Sequence, residues 1–206
     1  MKLFLLKASR SNRCLWLSGI IIIGITLNGC VSNVTVKKPL SLEASNKQIP
    51  YSVGIFLSKS TVNKKIENKF INVWFGDILD RNIETALAQV YKKVQRVDSR
   101  DSFGNGIDKI AVVSFGPKTK NEAPMTVFGD LKLRTHVKCT VWNNDGTIYQ
   151  EGEGLGEAQS SMGSTFFFGQ IALYPIVEGI ISASMTEALN DLVGSLLNPA
   201  SLPQVN

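Results

Sequence analysis

The strongest fold signal in the chain is a long stretch of alternating side chains that ends in a turn. Between Leu131 and Trp142, apolar or small residues alternate with residues that are mostly cationic or polar. A period of two places the two sets on opposite faces of a β-strand. The sequence Asn143-Asn144-Asp145-Gly146 that follows is typical of a hairpin turn. The chain is therefore predicted to fold around an antiparallel hairpin whose second strand covers 147–153.

The two faces of this strand differ in chemistry. One face carries Leu131, Leu133, Thr135, Val137, Cys139 and Val141. The other face carries His136, the only histidine of the chain, among the cations Lys132, Arg134 and Lys138. We expect the apolar face to pack on a core that buries Cys139, and the face with His136 to be exposed to solvent.

Other segments complete an α+β pattern. Strands are predicted at 51–58, 94–97 and 107–115 from their apolar periodicity, the last of them interior to the sheet. Helical spacing predicts a helix that starts at Asp77, with Lys92, Lys93 and Arg96 near its carboxyl end. It also predicts a closing helix within 176–197 whose apolar stripe consists of Val177, Ile181, Met185, Ala188, Leu189, Leu192 and Leu196. This order describes an α+β sandwich, with both helices on one face of a mainly antiparallel sheet.

The amino-terminal segment has the composition of a secretory signal. Residues 1–13 contain four basic residues and no acid, residues 14–27 are mostly apolar, and Gly29 directly precedes Cys30. A positive start, a short apolar run and a small residue at the cleavage point are what export requires. The apolar run is shorter than the roughly 20 residues of a spanning helix. An uncleaved signal anchor is the alternative reading.

The residues Leu27-Asn28-Gly29-Cys30 resemble the lipobox of bacterial lipoproteins, with Leu27, Gly29 and Cys30 at its first, third and fourth positions. The resemblance implies removal of 1–29, a diacylglycerol on the Cys30 thiol and an N-acyl chain such as palmitate, and no other cofactor. Several acyl chains attach a protein durably to a membrane. Because Val31 replaces the aspartate that is typical of inner-membrane retention, the resemblance implies the outer membrane, facing the periplasm.

Cleavage at this point also changes the charge and the domain organisation. The chain has 22 basic and 17 acidic residues, and loss of the four basic residues in 1–13 leaves 18 against 17. A nearly neutral exported domain argues against nucleic acid as a partner. We expect a tether over 30–50, a single domain over 51–198 and a tail over 199–206. Alternatively, part of the tether lies along the domain and contacts it through Val34, Val36 and Leu40.

The sequence offers no arrangement typical of an active site. His136 lies among cations, and Cys139 is predicted to face away from it. One histidine without paired cysteines predicts no metal site. Glutamate and glycine alternate in Glu151-Gly152-Glu153-Gly154, and the segment continues to Glu157. We predict a solvated strand end that loosens into a loop. The spacing of the glycines fits no phosphate-binding loop. These observations favour a protein that is not an enzyme.

Two features are candidates for binding. The first is an aromatic segment that contains Phe166, Phe167, Phe168 and Tyr174 within residues 160–175. Packing over the core is the alternative for this segment. The second is a basic stripe of Lys132, Arg134 and Lys138, which suits an anionic lipid or an acidic partner, or is simply a solvated sheet face.

The order of elements over 51–197 also resembles envelope-assembly lipoproteins, such as the periplasmic part of the curli secretion lipoprotein and the lipoprotein activators of penicillin-binding proteins. The resemblance rests on layout and on the turn Asn144-Asp145-Gly146, and it carries over no functional residue. It implies a non-enzymatic component that docks to a protein partner in the envelope or a secretion system. The alternative function is a carrier or sensor of an envelope lipid or glycan that uses the aromatic segment.

Overall fold

The computed structural model describes residues 32–34, 36, 39–45, 48–67, 71–122, 130–161 and 170–198. The strands are β1 (Ser32–Val34), β2 (Ile49–Leu57), β3 (Lys65–Glu67), β4 (Ile71–Trp74), β5 (Tyr91–Arg96), β6 (Lys109–Phe115), β7 (Lys120–Glu122), β8 (Asp130–Trp142) and β9 (Ile148–Ser161). The helices are α1 (Lys59–Val62), α2 (Phe75–Leu87) and α3 (Gln170–Leu197).

The larger sheet has the order β5-β2-β6-β8, with β7 also beside β8 and β9 on the opposite side of β8. Strand β2 pairs in parallel with both β5 and β6, whereas β6, β7, β8 and β9 pair in antiparallel fashion. A parallel pair needs a crossover connection, and α2 lies within the connection from β2 to β5. The predicted α+β class is confirmed, with a sheet that is antiparallel over its second half.

Helices α2 and α3 pack on one face of this sheet and enclose the core, as predicted. The helices contribute the buried residues Ile78, Leu79, Ile83, Ala86, Leu87, Val177, Ile181, Met185, Ala188, Leu189, Leu192 and Leu196. The sheet contributes Val53, Ile55, Ala111, Val113, Leu133, Val137, Cys139 and Val141. The predicted stripe of the closing helix is thus buried along its whole length.

The predicted limits of α2 are wrong at both ends. The helix begins at Phe75, its N-cap Trp74 makes no side-chain capping hydrogen bond, and Asp77 lies inside the first turn. Three turn residues follow Leu87, and Lys92, Lys93 and Arg96 belong to β5 instead of the helix. The physical reason is that Tyr91 is fully buried and the segment pairs with β2, which outweighs the helical spacing of its apolar residues.

Strand β9 is longer than predicted, because the run from Glu151 to Gly156 stays in the sheet. Its pairing with β8 continues to Asp130 opposite Ser161. The alternating glycines, predicted to loosen the chain, lie against α3. A Cβ on Gly154 would be 1.9 Å from the backbone oxygen of Ala188. Glycine is needed here for close contact between helix and strand.

The outer edge of β9 is covered by side chains of the same helix. The backbone amides of Glu153, Leu155 and Glu157 donate to Ser195 Oγ at 3.3 Å, Asp191 Oδ2 at 2.9 Å and Glu187 Oε2 at 2.7 Å. The acceptors are spaced four residues apart on α3, which is one helical turn. An edge strand with its amides already bonded is protected from pairing with another chain.

A smaller sheet has the order β1-β4-β3, with β1 parallel and β3 antiparallel to β4. Val34 and Val36 are each only 1% exposed. Arg81 Nη2 donates to the backbone oxygen of Val36 at 2.5 Å, and the amide of Leu40 donates to Asn82 Oδ1 at 3.2 Å. The described residues of the predicted tether therefore lie along the domain, which was the alternative for this segment.

The two sheets place Trp74 far from the β8–β9 turn. Phe75, which follows Trp74, contacts Phe115 at the end of β6, with ring centroids 6.1 Å apart. Phe115 pairs with Val137, five residues before Trp142 on β8. Five residues of strand span about 17 Å. Trp74 thus lies near one end of β6, and Trp142 lies at the opposite end, beside the hairpin turn.

Candidate docking surface

The face of β8 and β9 that points away from the helices carries a regular set of charges, here called the charged ladder: Lys132, Arg134, Lys138, Glu153 and Glu157. The face assignment from the sequence is confirmed, because Leu131, Leu133, Val137, Cys139 and Val141 are buried on the other side. Arg134 lies directly opposite Glu157, and Lys138 lies directly opposite Glu153. Cross-strand pairs of opposite charge stabilise a sheet.

Every cation of the predicted basic stripe is paired with one of these two glutamates. Lys132 Nζ lies 3.5 Å from Glu157 Oε2, and Arg134 forms an ion pair with the same carboxylate. Lys138 pairs with Glu153. Hydrogen bonding from Arg134 lowers the pKa of Glu157, and hydrogen bonding from Lys138 lowers that of Glu153. Glu151, opposite Thr140 on the same face, adds a third carboxylate, so three cations and three carboxylates make this face mixed in charge and not basic.

His136 is buried, and the prediction that it is exposed is wrong. Its side chain is 1% exposed, and Nε2 lies 3.1 Å from Glu153 Oε2. A Cβ on Gly116 would be 2.1 Å from His136 Nδ1, so the segment after β6 covers the ring. That segment is held by the amide of Gly116, which donates to the His136 oxygen at 2.8 Å. Alternation assigned the correct face, but it holds no information about a loop that crosses that face.

The pair formed by buried His136 and half-exposed Glu153 has no thiol beside it among the described residues. Cys139 points into the core, where burial raises the pKa of its thiol to about 12. A thiol with so high a pKa is a poor nucleophile. Within the described ranges, no group of three or more histidine, cysteine or acidic side chains is arranged to hold a metal ion. Within the same ranges, no helix is both long and apolar enough to span a membrane.

A buried lysine at the hairpin end was missed by the sequence analysis. Lys109 is 8% exposed, and its ammonium lies 4.3 Å and 4.0 Å from the ring centroids of Tyr51 and Tyr149. It donates to Asn143 Oδ1 at 2.7 Å, and burial lowers its pKa. Two aromatic faces and a hydrogen bond compensate for the lost hydration of the ammonium group. The parallel pairing of β2 with β6 brings Tyr51 to Lys109, and the antiparallel pairing of β6 with β8 and of β8 with β9 brings Asn143 and Tyr149.

The described part of the chain has two notable surface grooves. One, of about 900 Å³, lies between the segment 39–43, Leu155 and the α3 residues from Ser182 to Asp191. Two of its polar groups are already hydrogen-bonded within the domain, because Glu187 and Asp191 accept hydrogen bonds from backbone amides of β9. The other, of about 590 Å³, lies at the hairpin end and is lined partly by Arg100 and Trp142.

The remaining predicted contact residues are not placed by the structure. Cys30, Phe166, Phe167 and Phe168 lie outside the described residues. Tyr174 lies in the first turns of α3, and its side chain is not among those described. The lipidation site and the aromatic segment therefore stay predictions from the sequence.

No protein-family model matches the chain, and no curated protein sequence matches it significantly. Among solved structures, a protein described as a lipoprotein of Caulobacter crescentus is 12% identical, with a TM-score of 0.44 over 70% of this chain and 86% of that one. The minor lipoprotein of Acinetobacter baumannii is 13% identical, with a TM-score of 0.39 over 72% and 88%. The uncharacterised lipoprotein B of Nitrosomonas europaea is 14% identical, with a TM-score of 0.37 over 80% and 91%.

These solved structures are all bacterial lipoproteins, but their likeness to this chain is weak. Every TM-score is below 0.5 and every identity is below 25%. They therefore carry no argument about its activity or partners. The finer resemblance to curli secretion lipoproteins or to activators of penicillin-binding proteins stays a prediction.

Proposed function

We propose that this protein is lipidated at Cys30, is held at the outer membrane facing the periplasm, and docks a protein partner as a non-enzymatic component of an envelope or secretion assembly. The observation that carries the proposal is the position of β1. Strand β1 begins at Ser32, two residues after the cysteine of the lipobox, and Val34 is buried in the domain. A lipid on Cys30 would therefore anchor a folded domain directly.

The charged ladder is the surface that we propose for the partner. Lys132, Arg134 and Lys138 are 35–41% exposed at their side chains, so their outer parts remain accessible although each is paired. A flat sheet face with fixed charges of both signs selects partners by charge complementarity more than by affinity. The aromatic residues Phe166, Phe167, Phe168 and Tyr174 are a second proposed contact.

The anchor is tested by mass spectrometry and fractionation of the native protein. We expect a mature chain that begins at acylated Cys30, and Cys30→Ser should abolish both acylation and cleavage. Val31→Asp should move the acylated protein from the outer to the inner membrane fraction. A native chain with intact Met1 and no fatty acid would disprove the proposal.

Docking is tested by crosslinking in intact cells and purification from detergent-solubilised envelopes. Lys132→Gln combined with Lys138→Gln should remove the crosslinked partner. Lys92→Gln combined with Lys93→Gln is the matched control, because these exposed lysines lie on β5, at the opposite edge of the sheet. Recovery of the protein alone at every detergent strength, or equal loss with both variants, contradicts the proposed surface.

The described residues give no specific observation in favour of the alternative function, a carrier of a lipid or glycan. Its aromatic segment lies mostly outside them, and the two grooves are lined by other segments. A partner-docking role is therefore the function that we propose.

A further inference from the structure

The small sheet presents an exposed tryptophan close to the predicted anchor. Trp74 is 39% exposed, although it belongs to a residue type that is normally well buried. It lies on the outer face of the sheet, because its neighbour Val73 is only 2% exposed and points into the core. Burial in the core therefore does not explain the position of this indole.

One lysine contacts this indole, and two more exposed lysines belong to the neighbouring segments. Lys65 lies opposite Trp74 in the sheet, with its Nζ 5.0 Å from the ring centroid, and pairs with Glu67 at 2.5 Å. Lys64 is exposed, and its backbone oxygen accepts from the amide of Gly76, two residues beyond Trp74. Lys59 is exposed on α1, which packs against α2. Two acids also belong to these segments, and each is paired: Glu67 with Lys65, and Asp77, three residues after Trp74, with Arg81.

The chain itself limits how far this face can be from a lipid on Cys30. Two peptide bonds separate Cys30 from Ser32, a span of about 7 Å. Ser32 pairs with Ile71, and Trp74 lies three residues further along β4, about 10 Å at the rise of a strand. With the spacing between strands added, the indole stays within roughly 20 Å of the acylated cysteine.

From these observations we propose that the surface around Trp74 and Lys65, with the exposed Lys59 and Lys64 beside it, lies against the headgroup layer of the membrane that holds Cys30. The inference rests on the proposed lipidation. Tryptophan is favoured at the boundary between headgroups and acyl chains, and lysines next to it meet anionic phosphates while their stems cover apolar surface. The hairpin end, with Trp142, then points away from the membrane.

Single-tryptophan variants test this orientation. The native lipidated protein is reconstituted into vesicles of phosphatidylethanolamine and phosphatidylglycerol with brominated acyl chains, which quench nearby indoles. Trp142→Phe leaves Trp74 as the only tryptophan of the mature chain, since Trp16 is removed with the signal. Trp74→Phe leaves Trp142 as the matched control. We expect loss of Trp74 emission and unchanged Trp142 emission.

Charge variants test the contribution of the lysines. Lys59→Glu combined with Lys64→Glu should reduce the quenching of Trp74, and added salt should do the same because it screens exposed charges. Lys92→Glu combined with Lys93→Glu makes the same charge change on β5 and should leave the quenching unchanged.

Mass spectrometry of the reconstituted sample separates the two ways of failing. An unacylated chain that does not float with the vesicles overturns the proposed function and the orientation with it. If the acylated chain floats with the vesicles but Trp74 is not quenched, or if Trp74 and Trp142 are quenched equally, the orientation alone is overturned.

Discussion

At the scale of single residues, the most consequential feature is His136, which is buried between β8 and the segment that covers it. His136 bonds to Glu153 on one side and faces Gly116 on the other, while Nδ1 has no hydrogen-bond partner among the described residues. The histidine is held by close packing as well as by its hydrogen bond to Glu153. Its neighbour Lys138 holds the outer part of the same carboxylate.

The lowered pKa of Glu153 predicts a specific pH dependence of stability. A carboxyl whose pKa is lower in the folded protein stabilises the fold above its ordinary pKa of about 4.3, and this contribution is lost as the pH falls through the lowered value. When the pH is lowered from 5, the unfolding free energy of Glu153→Gln should therefore fall less than that of the wild type. Denaturant unfolding followed by circular dichroism measures the unfolding free energy at each pH. We expect Lys138→Gln to change the pH dependence in the same direction. Superimposable pH curves for the wild type and Glu153→Gln would contradict the assignment.

Burial of Cys139 predicts an inert thiol. Because burial raises its pKa to about 12, very little thiolate is present at neutral pH. In a Cys14→Ser, Cys30→Ser variant, which leaves Cys139 as the one cysteine of the chain, a disulfide reagent should label this thiol only after unfolding in guanidinium. Stoichiometric labelling under native conditions would show that the thiol is accessible and that the core here opens.

At the scale of elements, the contact between α3 and β9 decides the architecture. Gly152, Gly154 and Gly156 let the helix backbone approach the strand, and Thr135 Oγ1 and Ser184 Oγ form a buried hydrogen bond of 2.7 Å beneath it. The helix covers both the inner face of β9 and its outer amides. One helix thus completes the core and protects the edge.

Two substitutions of glycine by alanine separate packing from helix propensity. Gly154→Ala should destabilise the protein by about 3 kcal/mol, at the upper end of overpacking effects, because its Cβ meets a backbone oxygen. Gly194→Ala, in the same helix contact region but facing open space, should stabilise by about 0.5–1 kcal/mol. Both values are measured by denaturant unfolding. Equal effects of the two substitutions would show that α3 does not approach β9 this closely.

At the scale of the whole molecule, the segment after the lipobox is part of the fold. It adds β1 to the small sheet, contacts α2 through Arg81 and Asn82, and reaches α3 where the amide of Glu43 donates to Asn190 Oδ1 at 3.1 Å. A free tether would allow the domain to move far from the membrane. A segment that is packed in this way would instead hold the domain close to a lipid on Cys30, where the proposed function places the anchor.

Val36→Ala tests this packing. Removing a fully buried side chain of this size should cost about 2 kcal/mol of unfolding free energy, including the cavity that it leaves. Ser41→Ala, at an exposed position of the same segment, should change stability by less than about 0.5 kcal/mol. Unfolding of the purified protein in mild detergent gives both values. Near-zero effects for both would mean that the segment is a free tether.

The sequence by itself determined the α+β class, the faces of β8, the burial of Cys139 and the stripe of α3. These features follow from side-chain periodicity and local turn chemistry, which act over a few residues. The tertiary structure alone decided that the strand predicted at 94–97 begins already at Tyr91, that β9 continues through its glycines, that residues after Ser32 are packed, and that His136 is covered. Each of these depends on a contact between segments distant in the chain, such as β5 with β2, α3 with Gly154, or Gly116 with the His136 ring. Such contacts leave no period in the sequence.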